Sequence, residues 1–171
     1  MAIARLPLPV DLINEYLELK DGGVLVWKKS PHPRLPVGTP AGKKPKGHHL
    51  QVMIKKRSYS YHRIVYYLAY GIDSLGYEID HINRNPIDNG PENLRLAEGW
   101  QNKWNTTKRN KTNTGYRGIR KRFWGASYRW EVVFRSQYIG SFGSLEEAVK
   151  AWETVAREHA GEFFCPKPNG D

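Results

Sequence analysis

A polar stretch of ten residues divides this chain of 171 residues. Residues 105–114 read NTTKRNKTNT and contain no apolar side chain. Because such a stretch has nothing to bury in a core, it predicts a solvated basic linker rather than an element of a domain. The segments on either side must therefore form separate cores, and a chain of this length has room for two small domains.

Charge is segregated along the sequence. The chain has 27 Lys and Arg against 17 Asp and Glu, a net charge of +10. Residues 22–72 carry ten basic and no acidic side chains, residues 99–145 carry ten basic and one acidic, and residues 73–98 carry two basic and six acidic. Basic blocks attract a polyanion such as DNA through counterion release, and carboxylates between them can hold a metal ion. A merely solvated lysine-rich surface is the alternative.

Several protein classes are excluded by simpler features. No run approaches the roughly 18 apolar residues of a membrane span, and the N-terminus lacks the pattern of a secretory signal. The single cysteine, Cys165, excludes an intramolecular disulfide framework and multi-cysteine zinc sites, so no structural zinc is expected. We therefore expect a cytoplasmic protein that does not act at a membrane. No protein partner is evident, and a monomer and a dimer fit equally well.

Apolar spacing before the linker predicts short mixed elements. It predicts a helix over residues 11–20, a strand over 24–27, a strand–turn–strand unit over 49–61 and a helix over 62–70. After the linker, three strands are predicted over residues 116–124, 128–135 and 137–142. Ser144 and Glu147 form the sequence signature of a capping box, which predicts the start of a helix that ends near Gly161.

The acidic middle segment carries groups suited to catalysis. Residues 78–105 read EIDHINRNPIDNGPENLRLAEGWQNKWN and predict a strand, a turn-rich loop, a second strand and a helix that starts at Trp100. We expect this arrangement to bring Asp80, His81 and Asn102 together. Carboxylate and amide oxygens suit a hard cation, and a neutral imidazole can take a proton from an attacking water. Phosphodiester hydrolysis needs these groups.

This segment resembles the HNH endonucleases, in the version of the motif that ends in Asn and occurs in phage and intron-encoded homing enzymes. The matching string is IDHINRNPIDNGPENLRLA, with Asn93 twelve positions and Asn102 twenty-one positions after His81. The resemblance implies a ββα-metal (His-Me finger) core behind an N-terminal β-rich arm. It implies that His81 is the general base and that Asp80 and Asn102 are metal ligands. It also implies that Asn93 braces the histidine loop through side-chain hydrogen bonds. Mg²⁺ is the expected metal, with Mn²⁺ as a substitute.

The segment after the linker resembles the AP-two/ERF DNA-binding domain, through TGYRGIRKRFWG, WEVVF and YIGSFGSLEEAVKAWETVA. The resemblance implies a three-stranded antiparallel sheet packed on one helix, with the sheet in the major groove of DNA. Arginines on such a sheet can read guanine edges or clamp phosphates. The residues at the DNA-facing positions are Arg117, Arg120, Arg122, Trp124, Glu131 and Tyr138.

Together these features predict an α+β protein with four regions. They are an arm and HNH nuclease domain over residues 1–104, a linker over 105–113, an AP-two/ERF-like domain over 114–164 and a tail over 165–171. The expected function is metal-dependent, homing-type cleavage of double-stranded DNA in a bacterial or phage-infected cell, positioned by the C-terminal domain. A non-catalytic, sequence-specific DNA-binding regulator is the alternative, and RNA binding is a third.

Overall fold

The chain divides into two compact units, Met1–Asn102 and Lys103–Asp171. The structure is a computed structural model that describes residues 6–43, 49–105, 114, 116 and 118–165. It is a mixed α/β protein whose strands form small antiparallel sheets. No helix in the described part of the chain has both the length and the apolar character needed to cross a bilayer.

In its described residues, unit 1 has three antiparallel hairpins and three α-helices. In chain order the elements are α1 (Val10–Tyr16), β1 (Leu17–Lys20), β2 (Val24–Trp27), β3 (Gln51–Ile54), β4 (Arg57–Ser60), α2 (Tyr61–Tyr70), β5 (Glu78–His81), β6 (Leu94–Ala97) and α3 (Gly99–Asn102). The predicted strand–turn–strand unit and the helix that follows it are confirmed by β3, β4 and α2. The predicted strand at residues 24–27 is confirmed by β2.

The predicted helix over residues 11–20 is wrong in its second half. Helix α1 ends at Tyr16, and residues 17–20 form β1, which pairs with β2 so that Leu17 lies opposite Trp27. Apolar residues at 17 and 19 fit a strand as well as a helix, so spacing alone did not decide between them. Pairing with β2 across a turn at Gly22 and Gly23, both with positive φ, favours the strand.

Gly23 also lets the N-terminal hairpin approach the loop between β5 and β6. A Cβ atom at Gly23 would lie 2.0 Å from the backbone oxygen of Asn89. No side chain fits in that space, so glycine is required here both for the turn and for the close approach. The first hairpin of the chain is therefore packed directly against the segment between β5 and β6.

Helix α2 lies at the centre of unit 1. Its residues Ile64 and Val65 are completely buried in a core that also contains Ile13, Leu25 and Ile54. The helix contacts β1, β4, β5 and β6, and it ends at Gly71 in a left-handed conformation with φ of 72°. The buried apolar side chains of α2 thus support the β5–β6 hairpin that packs on this helix.

Unit 2 contains one three-stranded antiparallel sheet and a long helix. The sheet has the order β7 (Ile119–Trp124), β8 (Ser127–Phe134), β9 (Gln137–Phe142), and the helix α4 spans Leu145–Ala160. Ser144 and Glu147 form both hydrogen bonds of the capping box, which confirms the predicted helix start. The three predicted strands are confirmed as well.

The core of unit 2 lies between the sheet and α4, around Phe134 and Trp152. Trp104 packs against both, with ring centroids 5.6 and 6.0 Å apart. The sequence analysis placed Trp104 at the end of the first domain, and its side chain instead joins the second unit. Burial, followed by the Glu153 carboxylate, raises the pKa of Tyr116 in this unit to about 12.

Candidate active site

The β5–β6 hairpin and α3 follow one another closely and form a compact strand–strand–helix arrangement. The register of the hairpin pairs Asp80 with Arg95 and His81 with Leu94. Helix α3 begins two residues after β6 and contacts both strands. The connection between β5 and β6 is the turn-rich segment of residues 82–93, so the two residues at the end of β5 lie where that loop begins.

Asp80 is buried and paired. Its side chain is 4% exposed, and its Oδ2 atom accepts a hydrogen bond from Arg95 Nε at 2.9 Å. The side chain of Arg95 is itself 14% exposed. The positive charge of the guanidinium compensates the buried carboxylate, which would otherwise be costly to desolvate.

Asn102 reaches the acidic side of β5 from α3. Its Nδ2 group donates a hydrogen bond to the carboxylate of Glu78. Alternate residues of a strand share a face, so Glu78 and Asp80 project to the same side of β5. Because the NH₂ group of Asn102 is committed to Glu78, its carbonyl oxygen is the atom that can act as a metal ligand.

His81 lies in a different environment. It is 6% exposed, and its Nε2 atom lies 3.2 Å from Asn89 Oδ1. The amide orientation of Asn89 is set by its Nδ2 group, which donates to Ile87 O at 2.9 Å. An amide oxygen only accepts, so Nε2 of His81 carries the proton and donates it to Asn89. In the neutral ring the lone pair is then on Nδ1.

Two further histidines surround the His81 ring, and sequence reasoning assigned neither to the site. His62 of α2 lies with its ring centroid 5.5 Å from that of His81, and His49 with its centroid 5.9 Å away. The sequence analysis of residues 62–70 treated His62 only as part of an apolar helix. Its packing on His81 depends on how α2 crosses the hairpin, which residue spacing does not encode. The adjacent His48 lies outside the described residues.

The predicted meeting of Asp80, His81 and Asn102 is found only in part. Asp80 and Asn102 both lie on the Glu78 side of β5, which also contacts α3. His81 follows Asp80 directly in the strand, so the pleat directs its side chain to the opposite side, where α2 packs. The three groups therefore approach the end of β5 from two faces.

Asn93 holds the loop that follows His81. Its Oδ1 accepts a hydrogen bond from Asn83 N at 2.9 Å, and its Nδ2 donates to Asn83 Oδ1 and to Asp88 O. Its own backbone oxygen accepts from Ile82 N. Asn93 is buried, and these bonds tie the start of the loop to its end. The hydrogen bonds that the resemblance implied are present, and their importance for catalysis stays a prediction.

The donor set decides which metals suit this region. Within the described residues, no group of three or more His, Cys, Asp and Glu side chains is arranged to hold a metal ion. The side of β5 that contacts α3 offers carboxylate oxygens from Glu78 and Asp80 and an amide oxygen from Asn102. Hard oxygen donors of this kind fit Mg²⁺, which is commonly held by one or two carboxylates together with waters and substrate phosphates.

The sheet of unit 2 presents a separate basic surface. Arg120, Arg122 and Trp124 alternate along β7, and the register places them opposite Glu131, Arg129 and Ser127 of β8. The six side chains share one face of the sheet. Arg120 Nε donates to Glu131 Oε2 at 2.6 Å, and Tyr138 of β9 is exposed. Arg117 lies outside the described residues.

The other face of the same sheet also carries exposed aromatic groups, which sequence reasoning did not single out. Phe123 and Tyr128 lie opposite each other at the end of the β7–β8 hairpin, and both are exposed. The Lys121 ammonium lies 4.3 Å from the centroid of the Tyr128 ring. Alternation along β7 could have indicated this pair, because Phe123 has the parity of the buried Ile119.

Comparison with known proteins concerns the strand–strand–helix arrangement of unit 1. Residues 59–103 match the HNH endonuclease family model. The matched segment includes β5, β6, α3 and all four residues that carried the sequence motif.

Two relatives are of viral origin. An Acanthamoeba polyphaga mimivirus protein, named an uncharacterized HNH endonuclease, is 32% identical over 108 residues, which cover 61% of this chain and 55% of that protein. Protein 3.8 of Escherichia phage T7 is 38% identical over 58 residues, which cover 34% of this chain and 48% of that protein. The chain spans about half the length of the curated relatives it matches. No solved structure matches it.

Proposed function

We propose that this protein is a divalent-metal-dependent endonuclease that hydrolyses phosphodiester bonds in double-stranded DNA. The observation that carries the proposal is the coincidence of the HNH family match with one strand–strand–helix arrangement. Asp80, His81, Asn93 and Asn102 occur there at the spacing of the HNH motif.

Asp80 and Asn102 would hold the cation, through a carboxylate and an amide oxygen. When bound, such a cation stabilises the negative charge that develops on the phosphate and on the departing oxygen. Glu78 holds Asn102 by its NH₂ group and so leaves the carbonyl oxygen to the cation. We propose Mg²⁺ as the natural ion, with Mn²⁺ as a substitute.

His81 would act as the general base. Asn89 fixes the proton on Nε2, so Nδ1 is the atom that takes a proton from the attacking water. Asp80 and His81 are consecutive residues with Cα atoms about 3.8 Å apart. A phosphodiester group at the end of β5 can therefore reach groups that approach from both faces of the strand. Asn93 keeps the loop that begins at that point in place.

The sheet face of unit 2 would position the enzyme on DNA. Arg120, Arg122 and Trp124 combine positive charge with an exposed aromatic ring, which suits contact with phosphates, base edges and sugars. Glu131 orients Arg120, and Tyr138 extends the face. We propose that this unit is an AP-two/ERF-like DNA-binding domain joined by a basic linker to the nuclease domain. Two weakly binding modules on one tether bind more tightly than either alone.

The proposal also includes a more specific class of activity, homing-type cleavage. It is supported by the Asn-ending motif and by the presence of a second basic unit in the same chain. An enzyme of this type cuts at few sites, so its products from a large DNA should be discrete fragments rather than a smear.

A DNA-binding regulator without catalysis is the second candidate. It is favoured by the burial of His81 and by the ion pair that occupies Asp80 Oδ2. Incubation of supercoiled plasmid and a random-sequence DNA library with the full chain, in Mg²⁺, Mn²⁺ or EDTA, separates the two. The nuclease produces nicked or linear DNA with either ion and none in EDTA. A protein that binds DNA but leaves it intact with every divalent ion is the regulator.

A further inference from the structure

The ion pair between Arg95 and Asp80 involves the same carboxylate that the proposed function assigns to the metal. Arg95 Nε lies 2.9 Å from Asp80 Oδ2, and the two residues are directly opposed in the hairpin. Any cation held by this carboxylate would have a guanidinium as a close neighbour. Even in water, a unit charge a few ångströms from a divalent ion changes its binding by about tenfold, and by more in a buried site.

Another buried ion pair in unit 1 illustrates a purely structural role. Arg63 of α2 donates to Asp73 Oδ1 at 2.7 Å, to Ser74 Oγ and to the backbone oxygen of Leu6, and Asp73 also accepts from Leu8 N. That pair ties the N-terminal segment to α2 and to the loop after it. The hairpin carrying Arg95 is already joined by its backbone pairing, and a buried ion pair is a weak source of stability.

We propose that Arg95 makes binding of the divalent cation depend on DNA. Without DNA, the guanidinium of Arg95 offsets part of the negative charge that Glu78 and Asp80 present on one face of β5. The cation is then held weakly. A DNA phosphate at the end of β5 supplies further negative charge and oxygen ligands for the cation and an anionic partner for Arg95. Arg95 is thus a positioning residue. It limits tight binding of the cation, and with it hydrolysis, to the DNA-bound enzyme.

Binding of Mn²⁺ to the full chain, measured by electron paramagnetic resonance of the free ion, tests this without relying on cleavage. Arg95→Gln removes the charge, and we expect it to bind Mn²⁺ at least about tenfold more tightly than the unmodified chain. Damage to the fold weakens binding, so an increase in affinity is not a consequence of structural damage. Asp80→Asn should abolish the binding, which identifies the site being measured.

Two matched controls sharpen the result. Arg57→Gln removes the same charge from an exposed position on β4 and should leave Mn²⁺ affinity within about twofold of the unmodified chain. Arg95→Lys keeps the charge and should stay close to the unmodified affinity. Equal or weaker Mn²⁺ binding by a folded Arg95→Gln chain overturns the proposal.

A second measurement covers the case in which Arg95→Gln does not fold. His81→Ala, which prevents consumption of the DNA, is titrated with Mn²⁺ with and without duplex DNA, against a DNA-only blank. We expect about tenfold tighter binding with DNA, and no increase overturns the proposal. Because this inference rests on the proposed function, cleavage by the unmodified chain is measured separately. A chain that binds Mn²⁺ as described but never cuts DNA refutes the nuclease, not the role of Arg95 in cation binding.

Discussion

Two hairpins of this protein each place an arginine directly opposite a carboxylate, but the two arginines differ in their exposure to solvent. Arg95 lies directly opposite Asp80 across β5 and β6, and Arg120 lies directly opposite Glu131 across β7 and β8. Their N–O distances are 2.9 and 2.6 Å. The Arg95 side chain is 14% exposed, whereas that of Arg120 is 63% exposed. The two pairs differ mainly in the exposure of the arginine, because the carboxylate side chains of Asp80 and Glu131 are 4% and 15% exposed.

This difference determines what each arginine can do. A pair whose guanidinium faces solvent contributes little to stability, so Arg120 can exchange Glu131 for a DNA phosphate at small cost. A buried arginine leaves its carboxylate only when another charge replaces it. Under our proposals, the same kind of cross-strand pair would contact DNA in unit 2 and would control the charge at the cation site in unit 1.

The largest expected difference is in stability. Arg95→Gln leaves the Asp80 carboxylate buried with less compensating charge, and we expect a loss of about 3 kcal/mol in the free energy of unfolding. Arg120→Gln should cost less than about 1 kcal/mol. Urea denaturation of both variants at one ionic strength measures this. Equal losses would remove the distinction between the two hairpins.

The second largest difference in stability should come from the loops that connect the two strands of each hairpin. Asn93→Ala breaks three partly buried side-chain hydrogen bonds that close the long loop between β5 and β6, and we expect a loss of about 2 kcal/mol. Ser127→Ala removes a single exposed bond to Trp124 O in the tight β7–β8 turn and should cost at most about 0.5 kcal/mol. Thermal unfolding followed by circular dichroism compares the two variants, and a larger effect of Ser127→Ala would refute the bracing role of Asn93.

DNA binding should depend on the exposed arginines. Arg122→Gln should weaken binding several-fold and lower the slope of log affinity against log salt by about 1. Arg57→Gln, which removes the same charge from an exposed strand of unit 1, is the control for net charge alone. Fluorescence anisotropy with labelled duplex DNA from 50 to 200 mM salt provides both slopes. A reduction that is equal in the two variants would argue against a special role for the sheet face of unit 2.

The smallest effect concerns alkaline pH. Burial raises the pKa of Tyr116 to about 12, above its usual value of 10.0, so the fold favours the protonated phenol. Its contribution to stability is complete below pH 10 and is lost as the pH rises through about 12. Tyr116→Phe should therefore lose less stability than the unmodified chain between pH 10 and 12, as measured by urea denaturation. Parallel curves for the two proteins would contradict this.

Much of the fold followed from local patterns. Alternating residues, the strand–turn–strand pattern over residues 49–61 and the capping box at Ser144 predicted five strands or helices whose bounds the structure confirms within a few residues. Residues 17–20 were misassigned because their apolar spacing suits both a strand and a helix, and only pairing with β2 decides between them. Local residue spacing does not determine which strands pair with each other.

Motif spacing supplied the residues proposed for the site, but it could not predict their surroundings. Motif spacing indicated Asp80, His81, Asn93 and Asn102, and the hydrogen bonds of Asn93 could be expected. Arg95 was missed because a loop of twelve residues does not fix the register that places it opposite Asp80. His62 was missed because its contact with His81 arises from the packing of α2 on β5.

In the proposed function, His81 is the proton acceptor in DNA hydrolysis. This role is tested by measuring plasmid cleavage in Mg²⁺ and DNA binding by gel shift on His81→Ala, with the exposed His32→Ala as control. We expect His81→Ala to bind DNA as the unmodified chain does and to lose cleavage, while His32→Ala retains both. Cleavage by His81→Ala at the rate of the unmodified chain would exclude this role for His81.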